Sequence, residues 1–256
     1  MTGSVSFDQA AEYYDHTRAQ PTALIPRLVA ALPRDGVCLE IGVGTGRIAL
    51  PLVAEGIRVV GVDISSEMLK KLVAKRETSW PQVAIADATS LPFADRTFGS
   101  AIAAHVLHLI PGWRSAVREL LRVLRPNGVF IATRGGRSRS SWNDAVRRHF
   151  FAAAGDPPWP PGVDSIEELD AYVQSLGLEV DALPELITED SLSVNQLLEI
   201  LEAGYWSACW SIDRETRRRA AVATRAWARA SFGDLDRERE TSESTHWHAY
   251  RSGDQG

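Results

Sequence analysis

The chain has 256 residues, 45% of them hydrophobic and 24% charged, with a formal net charge of −5. That is long enough for one large α/β domain with a well-buried core, and the composition is that of an ordinary soluble globular protein. The acidic balance argues against nucleic acid or an anionic membrane as partner, and no apolar run approaches the roughly 18 residues of a membrane span. Only Cys38 and Cys209 are present, which argues against a disulfide framework. Asp8, Glu12 and Asp15 near the start do not suit a signal peptide, so the expected compartment is the cytoplasm.

In chain order, Phe7 to Ala19 and Thr22 to Leu32 read as two helices divided by Pro21. Val37 to Ile41 is a short apolar run bounded by Asp35-Gly36 and by glycine, the pattern of a buried parallel strand. Gly42, Gly44 and Gly46 then alternate, so the chain can turn tightly and bring its backbone close to a ligand. Arg47 to Ala54 reads as a helix stopped by Gly56, and its first N–H groups face the same crevice. Arg58 to Val62 is a second strand ending in Asp63, where a carboxylate can take both hydroxyls of a ribose. This is a nucleoside-binding unit. Its G-x-G-x-G spacing differs from the G-x-G-x-x-G of dinucleotide sites.

Ser65-Ser66-Glu67-Met68 starts a capped helix with Leu69, Leu72 and Val73 inward. Gln82 to Ala86 is a third strand with Asp87-Ala88 at its end, and Phe98 to Val106 is a fourth, followed by Leu107 to Pro111. Arg114 to Leu124 is an amphipathic helix, and Pro126-Asn127-Gly128 turns into a fifth strand, Val129 to Thr133. Such alternation demands a doubly wound parallel sheet with right-handed crossovers, which binds ligands outside the carboxyl ends of its strands. Glu40 to Gly46, Asp63, Asp87 and His105 to His108 all fall on that side.

Beyond Gly136 the pattern changes. Ser140 to Ala154 reads as a helix, Asp156 to Gly162 as a stiff proline-rich loop, and Ser165 to Leu176 as a helix followed by a strand, Leu178 to Ile187. Ser193 to Ala203 and Ile212 to Phe232 are helices, and Thr245 to Arg251 a last strand. The arginines of 214–229 alternate with acids, the pattern of a solvated helix rather than a nucleic-acid surface. His246-Trp247-His248 has a strand's period of two, and no cluster has convincing metal spacing, so no metal is expected.

Glu40-Ile41-Gly42-Val43-Gly44-Thr45-Gly46 resembles the first motif of the class I S-adenosylmethionine-dependent methyltransferases, and the resemblance continues through Asp63, Asp87 and Leu124-Arg125-Pro126-Asn127-Gly128. It covers roughly residues 7–135 and the remainder in outline. It implies a Rossmann-like, doubly wound seven-stranded sheet, mostly parallel with an antiparallel last strand, in a single domain of residues 1–256. Residues 7–135 would form the cofactor-binding core, and 1–32, 136–165 and 188–240 a helical lid over the acceptor. S-adenosylmethionine is the implied cofactor, held by Glu40 and the three glycines, by Asp63 through its sugar and by Asp87 through the adenine amino group. Ala88 would meet a ring nitrogen through its N–H and Ile64 would pack on the adenine face. Met68 lies nearby, with core filling as the plainer reading; for Asp87 the plain reading is a turn aspartate bonding its own backbone. Tyr14-Asp15-His16-Thr17-Arg18 resembles a Tyr-Asp-x-x-Arg stretch ahead of the family's core, which implies Arg18 facing the methionine carboxylate; a solvated arginine paired with Asp15 or Glu12 is the alternative.

His105 reads as a cofactor-lining or packing residue. His108 is the better candidate for facing the acceptor, as a base or as a contact. The implied activity is in-line methyl transfer to a small-molecule acceptor, and aromatics such as Trp142, Trp159, Tyr205, Trp206 and Trp210 suit an apolar or aromatic one. Two other readings stand beside it: a protein that binds S-adenosylmethionine without transferring methyl, and a nicotinamide-dependent oxidoreductase, against which the glycine spacing argues. Oligomeric state is not legible in the sequence.

Overall fold

The structure, a computed structural model, describes residues 8, 22–76 and 80–252. Arg18 and the helix expected over Phe7 to Ala19 lie outside the described residues. The helices are α1 (Ile25–Ala31), α2 (Ala49–Ala54), α3 (Ser66–Ala74), α4 (Trp113–Val123), α5 (Ser141–Ala153), α6 (Ile166–Ser175), α7 (Val194–Ala203) and α8 (Arg214–Phe232). The strands are β1 (Val37–Ile41), β2 (Arg58–Asp63), β3 (Gln82–Ile85), β4 (Phe98–Ala104), β5 (Leu124–Thr133), β6 (Gly136–Ser138), β7 (Leu178–Ala182), β8 (Leu186–Leu192), β9 (Arg239–Thr245) and β10 (His248–Ser252). The chain packs as two compact units. Residues up to Gly135, Pro161–Leu186 and those from His246 onward form the first, and Gly136–Pro160 with Ile187–Thr245 the second.

The first unit is built on a seven-stranded sheet of order β3-β2-β1-β4-β5-β10-β7. β1 pairs parallel with β2 and β4, β2 with β3, and β4 with β5, whereas β10 runs antiparallel to both β5 and β7. The winding therefore reverses between β1 and β4, which opens a crevice at their carboxyl ends. β1 is apolar on both faces because both are covered. Cys38 packs with α1, α2 and α3, while Leu39 and Ile41 face the layer of α4 and α6. α4 buries Trp113, Ala116, Val117, Leu120 and Val123, a stripe at helical spacing. Each large apolar side chain so buried contributes about 1.5–3 kcal/mol.

Local signals set most boundaries as expected. Ser65 caps α3, its hydroxyl accepting from the Met68 N–H at 3.1 Å and donating to Asp8 at 2.6 Å. In β5, Leu124 pairs with Phe98 and Val129 with Ser100, so the Arg125–Gly128 turn bulges out of the ladder, where a proline costs no hydrogen bond.

Three expectations need correction. The strand read over Leu178 to Ile187 is two strands in two units: β7 ends at Ala182, Pro184 cannot donate to a ladder, and β8 starts at Leu186. The last strand does not begin at Thr245, because β9 ends there and β10 starts at His248. The stretch expected as a helical insertion over 188–240 also carries strands. β8 and β9 join β6 in a three-stranded sheet of order β6-β9-β8. β8 is mostly exposed and β9 is polar throughout, so no alternating apolar pattern announces them.

In the second unit α5, α7 and α8 share one core around Val146, Phe150, Leu197, Leu198 and Leu201. α7 begins with a capping box of Ser193 and Gln196 and ends at Gly204 in the left-handed region. Arg217 of α8 donates to the carbonyls of Glu202, Cys209 and Ile212, and Arg218 pairs with Glu215, so these arginines serve their own unit. Both cysteines are free and buried. Burial pushes the Cys38 thiol up to about 12 and Cys209 up to about 11, which keeps both protonated and unreactive.

The antiparallel insertion of β10 is tied to α6 by one carboxylate. Asp170 accepts from the Tyr250 hydroxyl at 2.9 Å and meets His248 Nδ1 at 2.9 and 3.0 Å. Tyr250 is fully buried, and burial with the neighbouring carboxylate pushes its phenol above the ordinary range. Asp170→Ala is expected to destabilise the protein by about 1–3 kcal/mol, the usual cost of stranding a buried polar group. Urea denaturation measures this; Asp170→Asn should recover part of the loss, and an unchanged midpoint in the alanine variant would refute the tie.

Candidate functional site

At the switch between β1 and β4 lies a pocket whose wall includes Gly42, Gly44, Asp63, Ile64, Met68, Asp87, Ala88 and His105. The backbone of the turn after β1 explains its shape. Gly42, Gly44 and Gly46 have φ of +67°, +54° and +84°, conformations that favour glycine. A Cβ on Gly42 would also lie 2.5 Å from Val106, and one on Gly44 would lie 3.2 Å from Met68. The intervening Val43 is buried over Gly61, whose own Cβ would come within 2.7 Å of it. Its N–H donates to the Val62 carbonyl at 3.1 Å.

Asp63 stands at the tip of β2. Its Oδ2 accepts from the Gly44 N–H and its Oδ1 from the Ser65 N–H, both at 2.8 Å. Burial nevertheless raises its pKa above 3.8, the backbone donors opposing that rise. Asp87 at the end of β3 is the turn aspartate of the plain reading: Oδ1 accepts from the Thr89 N–H and hydroxyl, both at 2.8 Å. It also lines the pocket, and its Oδ2 receives no hydrogen bond among the described residues. The turn therefore orients one oxygen and leaves the other available to a donor.

Ile64 is 37% exposed at the pocket wall, an apolar surface a planar base can cover. Met68 is 2% exposed; it fills core beneath Gly44 and lines the pocket. His105 lines the pocket with φ +53°, a sparsely populated conformation for a non-glycine residue. Its ring meets Trp247 edge-on at 6.1 Å.

Three candidates stand off the wall. Gly46 is a packing glycine, since a Cβ there would fall 2.4 Å from Leu72 and 2.9 Å from Leu50. Glu40 is buried at the end of β1. His108 sits in a short 3-10 turn, Leu107–Leu109, whose carbonyls accept from the Gly162 and Val163 N–H groups. The sequence reading missed the apolar wall of Val62, Ala86, Ala104, Val106, Leu109 and Ile110. Their place at strand ends was the one signal that could have found them.

The electrostatics are one-sided. Glu40 Oε2 is buried and has no hydrogen-bond partner among the described residues. Burial, and then the Asp63 charge, hold its carboxyl well above 4.5, with Arg47 and the Ala49 N–H pulling the other way. A desolvated acidic end to β1 and β2 suits a ligand with positive charge and hydroxyl donors. Among the described residues no group of three His, Cys, Asp or Glu side chains could hold a metal ion.

Residues 39–132 match the methyltransferase domain family. That match supports a class I S-adenosylmethionine-dependent methyltransferase core. The chain is 36% identical over 102 residues to phosphatidylethanolamine N-methyltransferase of Cereibacter sphaeroides, covering 38% of this chain and 50% of that protein. It is 33% identical over 133 residues to demethylmenaquinone methyltransferase of Renibacterium salmoninarum, covering 49% and 55%. The chain thus spans about half the length of the curated relatives it matches. A solved structure of a candidate type II methyltransferase from Anaeromyxobacter dehalogenans superposes with a TM-score of 0.65 at 27% identity, covering 91% of this chain and 96% of that one. S-adenosylmethionine, the cofactor of this domain family, fits the donor set. Asp63 and the Asp87 Oδ2 are acceptors that sugar hydroxyls and an amino group could meet, the Gly42–Gly44 backbone leaves room for close approach, and the acidic field suits a sulfonium.

The raised Glu40 carboxyl has a measurable consequence. A folded-state value above 4.5 means that the folded protein holds this proton more tightly than the unfolded chain. Its stabilising effect is complete at low pH and is lost as the pH rises from about 4.5 through the folded value. Glu40→Gln is expected to raise the thermal midpoint at neutral pH relative to the parent and to flatten the decline above about pH 5. An identical pH profile in both proteins would overturn the assignment.

Proposed function

We propose that this protein transfers the methyl group of S-adenosylmethionine to a small-molecule acceptor by in-line displacement. The observation that carries the reading is the pairing of two strand-tip acids on one pocket: Asp63, locked to the Gly44 N–H, and Asp87, with Oδ2 unspent. Two relatives support the substrate class, being named for demethylmenaquinone and phosphatidylethanolamine.

Bound S-adenosylmethionine supplies an electrophilic methyl on a cationic sulfonium. The chain's part is to hold and to exclude. Asp63 would accept from the ribose hydroxyls and Asp87 from the adenine amino group, while Ile64 covers the base. Val106, Leu109 and Ile110 keep that wall apolar and dry. Positioning of this kind is worth roughly 7–11 kcal/mol of the barrier. His105, held by its left-handed backbone at the pocket wall, would fix the edge nearest the reacting carbon, and His108 would be the base for an alcohol acceptor. Arg18 would complete the cofactor site at the methionine carboxylate.

Asp63→Ala is expected to weaken S-adenosylhomocysteine binding by about 10–100-fold in calorimetry, the loss of hydrogen bonds to a charged acceptor. Asp87→Asn should weaken it less, because an amide oxygen still accepts. Unchanged affinity in Asp63→Ala would sink the cofactor assignment. Incubating the parent with labelled S-adenosylmethionine and a panel of phenols, amines and acids tests transfer: labelled acceptor supports the reading, and binding without turnover across the panel points to a non-methylating role.

A further inference from the structure

The second unit holds a cleft of its own, about 930 Å³, at the upper end of what drug-sized ligands occupy. Its wall combines the α5 residues Arg147, Arg148 and Phe151 with Arg137 of β6 and with Asp156 and Trp159 of the proline-rich loop. Arg147 is the anomaly. It is half-buried, lies over the Trp206 ring at 4.5 Å, and makes no hydrogen bond or ion pair among the described residues. A guanidinium carries five N–H donors in a planar fork. The ring satisfies only its face, and its donors are left to the cleft. Burial lowers its pKa from the ordinary arginine range, although Asp144 and Glu243 are near enough to favour its charge. Such a cation is short of an anion.

The rest of the wall says what the anion is attached to. Trp159 is 57% exposed, a large apolar surface standing in solvent, and it leans on Phe151 with ring centroids 5.5 Å apart. Pro157, Pro158 and Pro160 stiffen the loop that carries it. Arg137 and Arg148 are exposed on the same wall and outnumber, with Arg147, the two aspartates Asp144 and Asp156. A forked donor beside an aromatic shelf fits a planar carboxylate joined to an aromatic body.

We propose that this cleft binds an aromatic carboxylic acid, its carboxylate gripped by Arg147 and its ring laid against Trp159 and Phe151. The proposal is independent of the methyl-transfer reading and concerns residues 136–160 and 187–245 alone. The test titrates the full chain with 3-phenylpropionate and indole-3-acetate, and with the amide of each, by calorimetry. The acids are expected to bind at least roughly tenfold more tightly than the amides, since only a carboxylate pairs with both arms of the guanidinium. Arg147→Met should abolish that preference, Arg147→Lys should restore little of it, and Trp159→Ala should weaken both acids severalfold. S-adenosylhomocysteine affinity should be the same in the parent and all three variants, which reports that they fold and keeps a failure of the cofactor site separate. Acids and amides binding alike, no titration with any of the four compounds, or an undiminished acid preference in a folded Arg147→Met protein would overturn the proposal.

Discussion

The first unit depends on how closely the turn after β1 approaches its neighbours. Hydrogen is the only side chain that fits between Gly42 and Val106, and Gly46 is confined in the same way by Leu72 and Leu50. Three left-handed glycines within five residues let the chain leave the sheet and return toward α2 without opening a gap. The turn then sets everything that follows it. Its Gly44 N–H holds Asp63, Asp63 holds the Ser65 N–H, and the Ser65 hydroxyl starts α3. Acid, turn and helix are thus positioned as one object before any ligand arrives, so binding need not order them.

That rigidity brings an electrostatic cost. Glu40 and Asp63 are carboxylates in largely dry surroundings; burial raises the pKa of both, and the Asp63 charge adds to the rise at Glu40. Backbone donors offset part of the penalty at Asp63, and at Glu40 one oxygen has no partner among the described residues. A site strained toward protonation when empty gains most from a ligand that brings positive charge and hydroxyl donors. The second unit shows the opposite imbalance. There it is a cation, Arg147, that makes no ion pair among the described residues, seated on Trp206 in a unit that also exposes Trp159. The two imbalances differ in sign, and each is read from its own unit alone.

The order of strands, the positions of the strand-tip acids and the glycine turn were legible in the sequence because each has a local cause. Parallel strands buried on both faces read as unbroken apolar runs, a left-handed backbone selects glycine, and a helix start selects serine. Ser65, Ser165 and Ser193 all cap helices where a residue-by-residue reading puts them. The polar strands β8 and β9 were not legible. They are held in place by partners rather than by an apolar face, and Thr188 reaches the Glu243 carbonyl across 55 residues.

By itself, then, the sequence determined the doubly wound core, the crevice at the carboxyl ends of β1 to β4 and the chemistry of the acids around it, since those follow from residue type and short-range spacing. The tertiary structure alone decided which side chains meet. It assembled Val106, Leu109 and Ile110 into a dry wall, split Asp87 into an engaged and an available oxygen, and closed Asp170, His248 and Tyr250 into one polar cluster across 78 and 80 residues. It also left Arg147 over an indole and, among the described residues, without an ion pair. Such pairings depend on where distant segments come together in three dimensions, and no period or propensity along the chain carries that information.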